Sequence, residues 1–202
     1  MSYQPETKLP DPSPVSGIAD PAPLGLAGFA LTTMVLSLSN ANIWPAAPAA
    51  IGLAVAYGGL GQLLAGMWEF KRNNTFGALA FSSYGAFWIS FFVISMFPTQ
   101  IGLSSSNAPE AIGAYLFTWA VFTAYMTVAS LRVSGAVVVV FVLLTTTFVL
   151  LSIGAFQSST AVTKAGGWVG IATAAAAWYA SFAGVTNATF KKTVIPVWPL
   201  SR

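Results

Sequence analysis

The sequence predicts an all-α integral membrane protein with six transmembrane helices. Three observations predict it. Six separated apolar windows approach the roughly 20 residues that a helix needs to cross a bilayer. Hydrophobic residues make up 56% of the 202 and charged residues only 6%. A soluble domain carries about 25% charged residues, so the chain has too few to cover a water-facing surface. The windows are also continuous rather than alternating, which disfavours an outer-membrane barrel and its two-residue period.

The elements follow in order. Residues 1–22 are polar and proline-rich, without the apolar core of a signal peptide, and read as a disordered aqueous tail. The transmembrane domain is expected over 23–187, with spans near Leu24–Asn40, Ala46–Trp68, Phe76–Phe97, Ile112–Leu131, Gly135–Phe156 and Gly166–Val185. Turn-forming residues separate them: Asn40, Asn42 and Pro45; Lys71 to Asn74; a Ser/Asn-rich loop from Pro98 to Pro109; Arg132 to Ser134; and Gln157 to Lys164. Such short connections predict antiparallel neighbours in a bundle. Residues 188–202 read as a C-terminal tail. Small residues recur in the spans, notably Gly58 to Gly66 and Ala174 to Ala177, and allow close helix approach in lipid.

Charge predicts the orientation. Lys8, Lys71, Arg72, Arg132, Lys191, Lys192 and Arg202 fall on the side that holds both termini, and only Lys164 falls on the other. The positive-inside rule places both termini in the cytoplasm. The net charge of +3 forms no patch, which argues against nucleic acid as a partner. The chain has no Cys and no His, so disulfides, Cys or His metal ligands and His proton relays have no residues to use. No cofactor is expected.

No ionisable residue falls at a span centre. Glu69, at the end of span two, reads either as an interfacial charge paired with Lys71 and Arg72 or as a residue of a cytoplasmic vestibule. Acid–base catalysis needs a positioned His, carboxylate, Lys or Cys, so no catalytic residue is assigned and an enzyme is not expected. The spans do carry hydroxyls at helical spacing. Phe29, Thr32, Thr33 and Leu36 share one face; Phe81, Tyr84 and Trp88 a second; Leu144 and Thr147 a third; Thr173, Ala177 and Ser181 a fourth. Each stripe fits a polar pathway. Each also fits plain core packing, with hydroxyls bonded to their own i−4 carbonyls.

Five colinear stretches then resemble the acetate uptake transporter family, also called succinate–acetate permeases. They are Asp20 to Phe29; Tyr57 to Gln62 with Ala65 to Lys71; Asn74 to Gly77 with Ser83 to Trp88; Leu144 and Thr145 with Leu150 to Gly154; and Gly166 to Gly170 with Thr193 to Pro196. The first is similar to the family's signature before span one, here Asp20, Pro21, Pro23, Leu24, Gly25 and Leu26, with Asp20 in place of the usual Asn.

The resemblance implies a multi-pass protein of the cytoplasmic (inner) membrane, assembled as a homohexamer in the lipid bilayer. Each protomer would carry acetate, and in some members succinate or other short carboxylates, by channel-like conduction or with protons. By motif, the family's constriction falls on Phe29, Tyr84 and Leu144, and a position linked to substrate size falls on Ala177. Motif and stripes together give the pathway set Thr32, Thr33, Ser83, Thr147, Thr173, Ala177 and Ser181. A channel for water or another small neutral solute is the alternative that uncharged spans leave open.

Overall fold

The computed structural model describes residues 17–200. They form six membrane-length helices: α1 (Ala22–Asn40), α2 (Ala47–Lys71), α3 (Thr75–Met96), α4 (Ala108–Ser130), α5 (Gly135–Phe156) and α6 (Thr160–Phe190). Among the described residues the β-structure is a single bridge between Ser134 and Pro199. Most of the expected N-terminal tail, residues 1–16, lies outside the described residues.

Local chemistry sets the helix starts. Proline occupies the first turn of α1, α2 and α4, where its missing N–H costs nothing. Side chains cap the other three: Asn74 accepts from the Gly77 amide at 3.1 Å, Ser134 from Val137 at 3.3 Å and Ser159 from Val162 at 3.4 Å.

The structure corrects two expected boundaries. The Ser159 cap starts α6 at Thr160, so most of the expected Gln157–Lys164 loop is helix; its polar first turn lies beyond the apolar window. Its 31 residues span about 46 Å, longer than the hydrocarbon core. Likewise α4 starts at Ala108 rather than Ile112.

The small residues of α2 are packing surfaces within the subunit. The helix widens into a π turn over Ala56–Gly61, an irregularity often found at functional sites. Close neighbours demand glycine nearby. A Cβ on Gly28 would lie 2.5 Å from the Tyr57 carbonyl oxygen, and one on Gly85 would lie 2.9 Å from the Gly59 carbonyl oxygen. These contacts bring α1 and α3 against the π turn. On the other flank α6 packs against α1 and α5, and α5 against α4.

The chain after α6 is folded onto the bundle rather than trailing from it. Lys191 ends the helix in the left-handed conformation, with φ 54°. The Asn187 side chain then accepts from the Val194 and Ile195 amides at 2.7 and 2.9 Å. Farther on, the Gly135 amide donates to the Trp198 carbonyl at 2.8 Å and Tyr179 to the Pro196 carbonyl at 2.7 Å. The core is a cluster that includes Phe29, Tyr84, Phe87, Trp88, Phe141, Leu144 and Phe148.

Candidate functional site

Cavities run through this aromatic core from one end of the bundle to the other. At the end where α1 begins, a cavity of about 90 Å³ is lined by Leu26, Phe29, Gln62, Glu69, Tyr84 and Leu144, among others. Beyond it lies a smaller cavity of about 30 Å³ lined by residues that include Phe29, Thr33, Trp88, Leu144 and Thr147. Leu36, Phe87, Phe148 and Leu151 then belong both to this cavity and to a third, of about 290 Å³. The third shares Asn40 and Thr163 with a polar opening of about 300 Å³ at the far end, which carries Lys164, Ser158 and Ser159.

Phe29 and Leu144 are the two residues common to the first and second cavities. They come from α1 and α5 and are 5% and 4% exposed. Tyr84 of α3 lies beside them, its ring centroid 5.8 Å from that of Phe29. The three residues assigned to the constriction by motif therefore line one cavity within the chain.

The Tyr84 hydroxyl is already engaged. Thr123 donates to the Trp119 carbonyl at 2.7 Å, which leaves it as the acceptor for Tyr84 at 2.9 Å. The phenol is thus tied to α4. Its ring packs against Phe122 and Phe141.

Most of the expected pathway hydroxyls bond backward along their own helices. Thr32 donates to Gly28, Thr147 to Leu143 and Thr173 to Val169, at 2.8 to 2.9 Å. The Thr147 and Thr173 hydroxyls also lie 3.1 Å apart, so one of them can turn its proton from its own helix to the other and link α5 to α6. Ser181 donates to the Pro23 carbonyl at 2.7 Å and holds the start of α1 against α6. Ser83 is half-buried and lines none of these cavities. Ala177 is fully buried in the core cluster but faces neither of the first two cavities. Thr33 differs: it is 5% exposed, lines the second cavity, and its hydroxyl has no partner within the protein.

The signature residues fix the start of α1. The Asp20 carboxylate accepts from the Ala22 amide at 3.1 Å and pairs with Arg72 at 2.5 Å, which ties the start of α1 to the end of α2. The Pro21 carbonyl accepts from the Gly25 amide at 3.1 Å. Gly25 lies under the Phe81 ring, where a Cβ would approach to 2.5 Å. Leu24 is exposed, whereas Leu26 lines the first cavity.

Residue spacing placed Glu69 at the interface or in a vestibule. The structure buries it completely in the first cavity's wall. One carboxylate oxygen accepts from Asn74 at 2.9 Å, with Arg72 at 3.8 Å. The other has no partner. Gln62, the residue after the π turn, is 1% exposed on the same wall. Gln62 and Trp88 stood in the recognisable motifs, but their burial beside a cavity depends on how the helices pack.

Comparisons with known proteins agree with this architecture. The profile of the GPR1/FUN34/yaaH family matches residues 2–202. The chain is 44% identical over 184 residues to "Accumulation of dyads protein 2" of Saccharomyces cerevisiae, covering 87% of this chain and 64% of that protein's length. It is 38% identical over 180 residues to the "Succinate-acetate/proton symporter SatP" of Escherichia coli K12, covering 89% of this chain and 95% of that one. A solved structure described as "Structure of the bacterial acetate channel SatP" is similar with a TM-score of 0.84 and 38% identity, over 89% of this chain and 99% of that one.

Proposed function

This chain belongs to the GPR1/FUN34/yaaH family, and from that premise we propose that it carries acetate, and other short carboxylates such as succinate, across the membrane through each protomer. One observation carries the reading. A series of cavities crosses the bundle and is interrupted where Phe29 and Leu144 meet. The similar proteins named for succinate, acetate and protons give the substrate class.

The mechanism follows from the solvent the path must replace. An ionised carboxylate moved unaided into hydrocarbon loses its hydration at a cost of many kcal/mol. Phe29 and Leu144 form a dry apolar gate that closes against water. Tyr84, fixed by Thr123, contributes its ring to the gate and sets the position of Phe29. Thr33 on the far side and the Gln62 amide on the near side offer polar contact before and after the gate. Thr32, Thr147, Thr173 and Ser181 hold the helices that frame it, and Ala177 keeps α6 close to the core. Both termini face the cytoplasm, as the distribution of Lys and Arg supports. The protein works in the inner membrane as a homohexamer, a reading that rests on family resemblance.

A second reading has one observation in its favour. The carboxylate that lines the first cavity is Glu69, and Arg72, 3.8 Å from it, does not itself line that cavity. An acidic lining suits a neutral solute, or a carboxylic acid that carries its proton, better than a free anion. Labelled acetate uptake by reconstituted protein, with and without an imposed pH gradient and with unlabelled glycerol or lactate as competitors, tests both readings. Saturable acetate uptake that glycerol does not inhibit supports carboxylate transport. Absence of acetate uptake alongside glycerol flux rejects it.

A further inference from the structure

Residues 191–200 form a strap whose backbone completes the start of α5. The first four amides of a helix have no partner within it. Strap carbonyls take two of them in α5: the Gly135 amide donates to Trp198 at 2.8 Å and the Ala136 amide to Val197 at 3.2 Å. The Ser134 hydroxyl takes a third, from Val137. Just before the helix, the Val133 carbonyl accepts from the Leu200 amide at 3.1 Å. The strap is itself fastened to α6. Asn187 accepts from the Val194 and Ile195 amides and donates to the Ile195 carbonyl at 2.8 Å. Tyr179 donates to the Pro196 carbonyl, and its ring stacks on Trp198 with a centroid distance of 6.1 Å and an interplanar angle of 13°. Trp198 has a left-handed φ of 52°, a strained conformation for a bulky residue that persists where its surroundings fix it.

We propose that this strap is a positioning element for the transport pathway: it fixes the start of α5 and thereby sets the width of the first cavity. Val133 and Val137, which bracket its contacts, line that cavity, followed along α5 by Val140, Phe141 and Leu144. Burial does not hold the strap in place. Trp198 is 57% exposed, and Val194 and Leu200 are exposed as well, so hydrogen bonds and one aromatic stack make the attachment. Without it the Gly135 and Ala136 amides turn to water and the first turn of α5 frays, as unpaired helix ends do. Fraying moves Val133 and Val137 away from the wall and widens a cavity of about 90 Å³. Tyr179, Asn187 and Trp198 line none of the cavities described above, so they act through α5 rather than on the substrate. The inference rests on the carboxylate-transport reading only for what passes the wall; where the wall stands is a property of the fold.

Asn187→Ala and Tyr179→Phe loosen the strap without touching the cavity. The first readout needs no substrate. In a chain without native Cys, Val137→Cys reports access to the first cavity through its rate of modification by a small charged thiol reagent. Adding Asn187→Ala should raise that rate about tenfold, as loss of its hydrogen bonds to the strap predicts, and adding Tyr179→Phe should raise it by less. The second readout is uptake of acetate against butyrate into proteoliposomes, where Asn187→Ala should shrink the preference for acetate about fivefold or more. Rescue separates positioning from stability. Ser134 and Pro199 form the antiparallel bridge, and the bonds on either side of it make them a non-hydrogen-bonded pair. The Cα atoms of such a pair lie about 4.5 Å apart, within reach of a disulfide. Oxidised Ser134→Cys/Pro199→Cys should restore the acetate preference of Asn187→Ala, and reduction should lose it again. An oxidised pair that blocks uptake until it is reduced would overturn the proposal, because the strap would then have to leave. So would loosened variants that unfold at lower temperature with modification rate and chain-length preference unchanged. A protein that takes up no acetate would reject the transport reading, while faster Val137→Cys modification in the loosened chain would still support the strap's role.

Discussion

Truncating Leu144 tests the proposed gate. In Leu144→Ala the side chain that separates the cavities of about 90 and 30 Å³ loses its branch. The void left behind opens into both, so the two should merge into one water-accessible space. Leu→Ala changes in packed cores cost about 2–5 kcal/mol. Here the lower end is expected, because Leu144 already borders empty space. Two consequences for transport follow. Lowering the barrier at the gate by about 1.4 kcal/mol would raise flux tenfold. A tight apolar slot also discriminates between ligands by about 1–3 kcal/mol per methylene, so the wild-type preference for acetate over butyrate should shrink by about tenfold or more. The assay is labelled-acid uptake into proteoliposomes with a chain-length series, with thermal unfolding of the detergent-solubilised protein measured in parallel. Leu144→Met, which nearly conserves volume, serves as the control. A folded Leu144→Ala variant with wild-type flux and unchanged chain-length preference would refute the gate.

Other perturbations follow from particular contacts. Tyr84→Phe removes the hydrogen bond to Thr123 but keeps the ring, so uptake should stay within a few fold while stability falls by about 1 kcal/mol; abolished uptake would mean that the hydroxyl acts on substrate. Gly167→Ala puts a Cβ 2.2 Å from the Ala41 amide nitrogen, a backbone atom with no room to yield, and should lower the unfolding temperature and the yield through the roughly 1–3 kcal/mol cost of overpacking. Asp20→Asn frees Arg72 from its ion pair at the mouth and should raise acetate uptake at low ionic strength about two- to fivefold, an effect that salt removes; uptake insensitive to both changes would place Asp20 away from the mouth's electrostatics.

Much of this architecture is readable in the residues. Continuous apolar runs, together with Pro21, Pro45 and the Asn73–Asn74 pair, delimit helices whose packing leaves few options in lipid. Phe29, Tyr84 and Leu144, assigned by motif, line one cavity. The start of α6 escaped because a cap and a polar first turn, Ser159 to Lys164, look like loop when only hydropathy is weighed. The full burial of Glu69 was not legible because charge near a span end suggests water, whereas Asn74, the cap of the next helix, supplies its hydrogen bond inside the bundle.

The hydroxyls were harder for a different reason. A threonine on a pathway face and one bonded to its i−4 carbonyl differ only in rotamer, which spacing does not encode. Thr32, Thr147 and Thr173 take the second course and Thr33 does not. Trp88 reads as one more core aromatic until the π turn of α2, through Gly58, shows where its pyrrole edge lies.

The chain has no native Cys, so a single Leu144→Cys variant can be labelled at one known position. Labelled-acetate uptake into proteoliposomes, measured before and after complete modification of that thiol by a small charged reagent, asks directly whether substrate passes between α1 and α5 of each protomer. Loss of uptake on modification, slowed by excess acetate, is the predicted result. Full modification with uptake unchanged would contradict it.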